Sequence, residues 1–493
     1  MPPTLALYLP AAAPLLAALL ALALPWRPAA WSSVAAALAI LASGIMLAGD
    51  VTSSGVLTHG LLRADALTAF MIIVIGAVAT IACWAGVQHL HHETTTTYAA
   101  ATRRYLVLTE LFLACMSLAV LADNLGLLWV AIEATTIVTA FLVGHRRTRA
   151  SVEAAWKYVV LCSVGIAIAF LGTVCVYAAA VATGAHGTTA LNWTYLSTHT
   201  GELSPDLVRL AAGLVLLGFG TKAGLAPMHS WLPDAHSQAP APVSALMSGV
   251  LLSVAFYAIL RYRTIANDVL GDGYTRTLLI IAALASLAVA ATLLIAQRDY
   301  KRLLAYSSIE HMGLIALATA IGTQLALAAA LLHILGHGLA KATAFCSAGR
   351  VLQLTASPHI DAVRGLAARQ PALAATFGLS IVALLGFPPF SLFASELGIA
   401  RSGLTAHSGW LIAVAFALTL IAFVAITRHA SAILLGTPTT TPTPTTPAAG
   451  VVATPATILA PLTLGLVAVA VLGLFLGPLQ PLLDAAAVIA GGH

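Results

Sequence analysis

Apolar runs of close to twenty residues recur along the chain, separated by short polar turns. Coiled as a helix, a run of about 20 residues matches the hydrocarbon thickness of a bilayer. Fourteen such runs are read, near 4–25, 31–49, 66–87, 105–122, 125–143, 155–182, 207–226, 241–261, 276–296, 303–321, 323–352, 372–399, 409–434 and 456–477. They far exceed the ~10-residue alternating segments of a membrane barrel, so strands are not expected. The expected fold is therefore an all-α integral membrane protein of about 14 transmembrane helices. The Thr/Pro run at 437–447 cannot pack a core and reads as an extended exposed linker.

The pattern breaks at two places. Within Gly218–Pro242 the seventh run carries Lys222 and is interrupted at Gly224 and Pro227. Five runs later, the twelfth is interrupted at Gly386-Phe387-Pro388-Pro389 and carries Glu396. Broken helices in corresponding positions of two halves point to an ion path at their interface. An offset of five spans makes the two halves inverted in the membrane. The chain then divides into helices 1–3 (1–104), a first repeat of helices 4–8 (105–262), a second of helices 9–13 (263–434), a linker (435–455), and helix 14 with its tail (456–493).

Composition agrees with the pattern. Hydrophobic residues make up 60% of the chain and charged residues 8%, with mean hydropathy +0.98. A soluble protein carries about 25% charged residues. The N-terminus lacks the basic region of a secretory signal, so the first apolar run is expected to be retained. The net charge of +5 does not indicate nucleic acid, because the basic residues are scattered in short loops that set orientation. With the N-terminus outside, fourteen of the 22 Lys and Arg fall on inner loops and helix ends, against six on outer ones. That bias places both termini outside, in a cell inner or plasma membrane. The five cysteines form no C-x-x-C pair, so no iron–sulfur or nickel–iron site is expected in this chain.

Ionisable residues at membrane depth are the candidate functional groups. Glu133 lies mid-span in LGLLWVAIEATTIVTAFLV, and Lys222 is its candidate partner. Burial and a neighbouring carboxylate pull a lysine's proton affinity in opposite directions, so the pair reads as a proton switch, with a static buried ion pair as the alternative. His333, His337 and Lys341 follow at i, i+4 and i+8. On a helix they drift ~80° over ~12 Å and form one polar stripe. Histidine titrates near neutrality, which suits a relay. In YSSIEHMG, adjacent Glu310 and His311 point ~100° apart. Only one is expected to face the path, and His311 is favoured. Glu396 reads as the terminal acid near the outer side. His229 and His236 fall in the loop after the first break and are secondary candidates. Glu110 is a further buried acid without an assigned role. Thr135, Thr136 and Thr139 are weak candidates, since such hydroxyls commonly bond their own helix. There is no phosphate loop, no nucleophile elbow, and no ligand set for haem or a metal, so no cofactor-binding or metal residues are assigned.

The runs KAGLAPMHSWLPDAHSQAPAPVSALMSG (222–249), DYKRLLAYSSIEHMG (299–313) and ADNLGLLWVAIEA (122–134) resemble the antiporter-like proton-translocating membrane subunits. That family serves respiratory complex I, Mrp-type cation/proton antiporters and membrane-bound group 4 nickel–iron hydrogenases. The resemblance covers roughly residues 60–430. It implies fourteen helices, two inverted five-helix units and a midplane polar axis. It also implies an essential glutamate at Glu133, a broken-helix lysine at Lys222, a helix-11 polar cluster at His333, His337 and Lys341, and a terminal charge at Glu396. In the eighth span, GVLLSVAFYAILRY places Ser253 where middle-type complex I relatives carry a lysine. This departure and SSIEHMG are most similar to the F-type branch of the hydrogenase-4 membrane subunits. The function implied is a proton-translocating subunit of a redox-driven complex, hydrogenase-4-like or NADH:quinone oxidoreductase-like. The alternatives are a Mrp-type antiporter subunit and a coupling subunit of an inorganic-carbon uptake complex. The implied partners are other membrane subunits and a peripheral redox module, whose NiFe, Fe–S or flavin cofactors would lie outside this chain.

Overall fold

The structure, a computed structural model, describes residues 3–93, 99–437 and 454–491. The expected Thr/Pro run lies almost wholly outside them. The described residues form helices throughout, apart from one short antiparallel hairpin of β1 (Leu57–His59) and β2 (Leu62–Ala64). The first half contains α1 (Pro3–Ala23), α2 (Trp26–Ser54), α3 (Ala66–Glu93), α4 (Ala99–Leu121), α5 (Leu125–Val143), α6 (Arg149–Ala182), α7 (Pro205–Lys222), α8 (Trp231–Gln238) and α9 (Ala241–Leu270). The remainder contains α10 (Gly273–Ile295), α11 (Tyr300–Ile321), α12 (Gln324–Thr355), α13 (Pro371–Leu384), α14 (Ser391–Thr405), α15 (Gly409–Leu435), α16 (Ala456–Leu474) and α17 (Gln480–Ile489).

Among the described residues, twelve helices are long and apolar enough to cross a membrane, or thirteen if the bent pair Ile360–Arg369 and Pro371–Leu384 counts as one span. Of the fourteen expected runs, the two absent from the twelve are the two interrupted ones. The α7 segment carries Asp206, Arg209 and Lys222 within 18 residues. The α13 and α14 segments are 14 and 15 residues long. Interrupting a helix frees backbone groups that lipid cannot satisfy, so such a break must be enclosed by protein.

Both interruptions use the same backbone solution. After α7, Gly224 adopts φ +77°, its N–H donates to Thr221 O, and Leu225 N–H donates to Gly220 O at 2.9 Å. After α13, Gly386 adopts φ +68°, its N–H donates to Ala383 O, and Phe387 N–H donates to Val382 O at 3.3 Å. These are left-handed glycine caps, a conformation that other residues adopt only with strain.

Helix starts repeat as well. Asn124 caps α5 by accepting from Gly126 and Leu127 N–H, and Asp299 caps α11 by accepting from Lys301 and Arg302 N–H. Thr148 caps α6 and Thr323 caps α12. Each pair is separated by 175 residues. Asn124 also bridges Asn192, and Asp299 bridges His359. Two copies of one structural unit account for all of these features.

The two central helices α9 and α11 are buried along their spans, and α3 and α12 nearly so. By contrast, α5, α6, α10 and α15 present more than half of their residues outward. Large apolar side chains such as Trp156, Ile281, Trp410 and Leu420 stand on that perimeter. In lipid such exposure costs little, and the polar groups collect inside.

One end of the bundle is held by a charge cluster. Arg261 of α9 donates to both carboxylate oxygens of Asp65, at 2.7 and 2.8 Å, and to Thr68 and Tyr257 at 2.9 Å. Arg63 adds a second contact to Asp65 at 3.3 Å. Both guanidinium groups lie over the Trp193 ring, at 4.2 and 4.8 Å. Burial pushes the Asp65 carboxyl up, but the Arg261 charge and hydrogen bonds outweigh it and hold the pKa down to about 2. A depressed carboxyl stabilises the fold above its unfolded pKa, so this contribution is lost as pH falls from about 3.8 through about 2. Asp65→Ala removes the carboxylate that Arg261 and Arg63 share and should cost about 3–5 kcal/mol. Thermal unfolding in detergent measures this, and an unchanged melting temperature would show that the cluster holds nothing together.

Candidate functional site

Lys222 is the last residue of α7 and is fully buried. A cation at a helix C-terminus faces the unpaired carbonyl end, where the helix dipole favours positive charge. Two of the groups freed by the break find side-chain partners. Trp231 Nε1 donates to Thr221 O, and Ser286 Oγ accepts from Ala226 N–H, each at 2.9 Å. Trp231 in turn stands edge-on to Tyr158 of α6, with ring centroids 5.0 Å apart.

The ammonium is held by neutral groups. Lys222 Nζ donates to Thr136 Oγ1 at 2.6 Å and to Tyr158 OH at 2.9 Å. Thr136 Oγ1 then donates to Glu133 Oε2 at 3.0 Å. The anticipated Glu133–Lys222 pairing is therefore indirect, with one hydroxyl between acid and amine. Thr135 bonds its own helix backbone through Ile132 O, as anticipated for such residues, whereas Thr136 bonds the Glu133 side chain. Glu133 is only partly buried. It shares the outer face of α5 with exposed Val130, Ile137 and Phe141.

In the second half the charged group lies beyond the break instead of before it. Glu396 projects from α14 back over Gly386, so closely that a Cβ there would lie 2.4 Å from Glu396 Oε2. Next to it, His311 of α11 and His333 of α12 share a hydrogen bond of 3.0 Å between Nδ1 and Nε2. His333 Nδ1 meets Ser395 Oγ at 2.9 Å. The His337 ring lies 4.9 Å from that of His311, and both of its nitrogens are buried without a protein partner. Lys341, one turn further along, donates to Leu304 O at 2.6 Å and to Ser307 Oγ.

The 175-residue correspondence relates the two sites. Thr136, Tyr158 and Cys162 in the first half match His311, His333 and His337 in the second. The positions that cradle an ammonium in one copy hold three imidazoles in the other.

Two secondary candidates take unexpected positions. His236 is not in a loop. It lies in α8, is fully buried, and stacks on Phe345 of α12 at 4.9 Å. It is within electrostatic reach of Lys341 and His337, so a residue of the first broken helix enters the second cluster. Glu310 does not turn away from the polar cluster as the choice of His311 implied. It is also buried and interacts with Glu396 and Lys341. A buried helix has neighbours on every side, so adjacent residues can both meet polar partners. His229 stays in the segment between α7 and α8, partly exposed.

Ser253 is buried and bonds its own helix, to Gly249 O at 3.3 Å, beside a π turn over Met247–Leu251. The bond between helices there is made instead by Ser248 and Ser308, at 2.8 Å. Glu110 is buried on α4 near Ser33 and Cys83.

Sequence reasoning missed Tyr158, although a tyrosine in an apolar span was a usable signal. It also missed the clamp around Asp234, which binds Lys157 at 3.1 Å and pairs with Arg302. With Ser237 donating to Asp299 at 3.1 Å and Lys301 donating to the Ser237 and Ala239 carbonyls, this clamp fastens α8 to the start of α11.

Comparison with known proteins agrees with this architecture. The family model described as NADH:quinone oxidoreductase/Mrp antiporter, TM, matches residues 122–422, which include both broken helices. A hydrogenase-4 component F homolog from Methylacidiphilum infernorum is 42% identical over 300 residues, covering 61% of this chain and 63% of the relative. The match thus spans less than two thirds of that relative's length. Among solved structures, a chain of an archaeal membrane-bound sulfane sulfur reductase matches with TM-score 0.84 at 24% identity, covering 99% of this chain and 98% of its own. A chain of respiratory complex I from Thermus thermophilus matches with TM-score 0.76 at 26% identity, covering 99% and 100%. This multi-pass chain belongs to the NADH:quinone oxidoreductase/Mrp antiporter transmembrane family, as an antiporter-like membrane subunit.

Proposed function

We propose that the chain is the proton-translocating subunit of a redox-driven membrane complex of the hydrogenase-4 type. The observation that carries this reading is the buried Lys222 ammonium, joined to Glu133 through Thr136 at a helix break. A charge buried among neutral hydroxyls is poised between protonation states, because desolvation opposes the charge and the nearby carboxylate supports it. When Glu133 is neutralised or moved, that support falls and Lys222 releases a proton. His311, His333, His337 and Lys341 are the onward groups, reached with His236, and Glu396 is the terminal acid. Glu310 adjoins this path, whereas Ser253, bonded to its own helix, bears on packing.

The chain itself performs no electron transfer in this reading. A peripheral module carrying NiFe, Fe–S or flavin would drive it through neighbouring membrane subunits. Glu133 sits on a partly open face, which suits a charge that responds to such a neighbour.

Lys222→Met should lower proton translocation by about 10²-fold, the scale for losing a positioned proton-transfer group. The measurement is proton uptake by proteoliposomes of the assembled complex under electron donor, with copurification of partner subunits as the check on assembly. Unchanged translocation would remove Lys222 from the mechanism. Sodium-dependent proton movement without any donor would instead establish the Mrp-type function.

The bridging hydroxyl gives a separate test. Thr136→Val preserves shape but removes both bonds, and should slow translocation at least about tenfold, within the range of proton-transfer effects. Thr136→Ser should restore most of it. Equal rates for the two variants would show that acid and amine communicate without the bridge.

A further inference from the structure

His311, His333 and Glu396 come from three different helices, α11, α12 and α14, and their ligand atoms lie within 4.8 Å of one another. We infer that these three residues form a binding site for a divalent transition-metal ion of the zinc class. The inference concerns binding and does not depend on the relay proposed above.

The spacing of the imidazoles supports it. His311 Nδ1 and His333 Nε2 are 3.0 Å apart. Two nitrogens bound to one tetrahedral zinc, at about 2.0–2.1 Å each, are about 3.3–3.4 Å apart. The rings thus stand within a few tenths of an ångström of the bound spacing, and an ion would replace the proton they share.

The His333 tautomer is also suited to it, and His311 binds once its proton moves from Nδ1 to Nε2. Ser395 Oγ donates its proton to Leu392 O at 2.8 Å. It therefore accepts from His333 Nδ1–H, which turns the Nε2 lone pair toward His311. An orienting hydrogen bond on the far nitrogen is the usual support for a metal-binding histidine.

The third ligand supplies charge. The Glu396 carboxylate is held over Gly386 and bonds no protein donor among the described residues. It is partly exposed on the chain. The His337 ring, whose nitrogens have no protein partner, lies 4.9 Å from that of His311. Two imidazoles and one carboxylate select zinc-like ions over sodium, magnesium or calcium, which prefer oxygen ligands. The ion and the shared proton compete for the same nitrogens. On the relay reading, an occupied site would therefore stop conduction through the second half.

Cobalt(II) is the probe, titrated into the purified full chain in nanodiscs. One equivalent should give the intense visible bands of tetrahedral cobalt, and zinc should remove them. His333→Gln and Glu396→Gln should abolish the bands. Ser395→Ala should weaken affinity by about 10–100-fold, as for loss of an outer-shell partner. His229→Gln should leave them unchanged. X-ray absorption on the zinc-loaded wild type should show two imidazoles and an oxygen donor, whether or not every variant folds. Absence of the bands in the wild type, their retention in both ligand variants, or their loss in His229→Gln would overturn the site.

Discussion

The structure depends on enclosing a break. A helix in lipid satisfies its own backbone, and interrupting it frees carbonyl and amide groups that the bilayer cannot serve. Here both interruptions are closed by a left-handed glycine cap, and the first also by the side chains of Trp231 and Ser286. Once a break is enclosed, it offers what an intact helix does not: a dipole end at membrane depth. Lys222 occupies the carbonyl end of one, and Glu396 folds back over the other. The charges are therefore a consequence of the breaks as much as an addition to them.

Duplication explains how the interior is organised. The same caps, bridges and breaks recur in both halves, yet the side chains at matched positions have diverged. Hydroxyl and phenol groups surround an ammonium in the first copy, and imidazoles occupy those places in the second. Neutral oxygen groups can hold a cation without neutralising it. Imidazoles can both donate and accept, and so can pass a proton or bind a metal. The scaffold is common, and the chemistry differs through the side chains at matched positions.

The halves are not independent. The α8 helix belongs to the first break, but its Asp234, Ser237 and carbonyl end are fastened to the start of α11, and its His236 lies beside the second cluster. The first break and the second half are therefore joined by direct contacts. At the opposite end, Asp65 and Arg261 fix α3 to α9, which keeps the central helices in register.

The apolar runs, the two Gly/Pro interruptions and the isolated charged residues were all legible in the sequence. They follow from local rules, since each span must be apolar, each break needs glycine or proline, and each charge in lipid is conspicuous. The stripe of His333, His337 and Lys341 was readable for the same reason, because one helix carries all three. What the tertiary structure decided are the meetings between helices. Thr136 joins Lys222 across 86 positions, and Asp65 meets Arg261 across 196. His311, His333 and Glu396 converge from three helices. Helical periodicity fixes the face on which a residue stands, but not which distant face is packed against it. That choice belongs to the folded bundle, and the indirect Glu133–Lys222 contact, the inward His236 and the His–His–Glu cluster all depend on it.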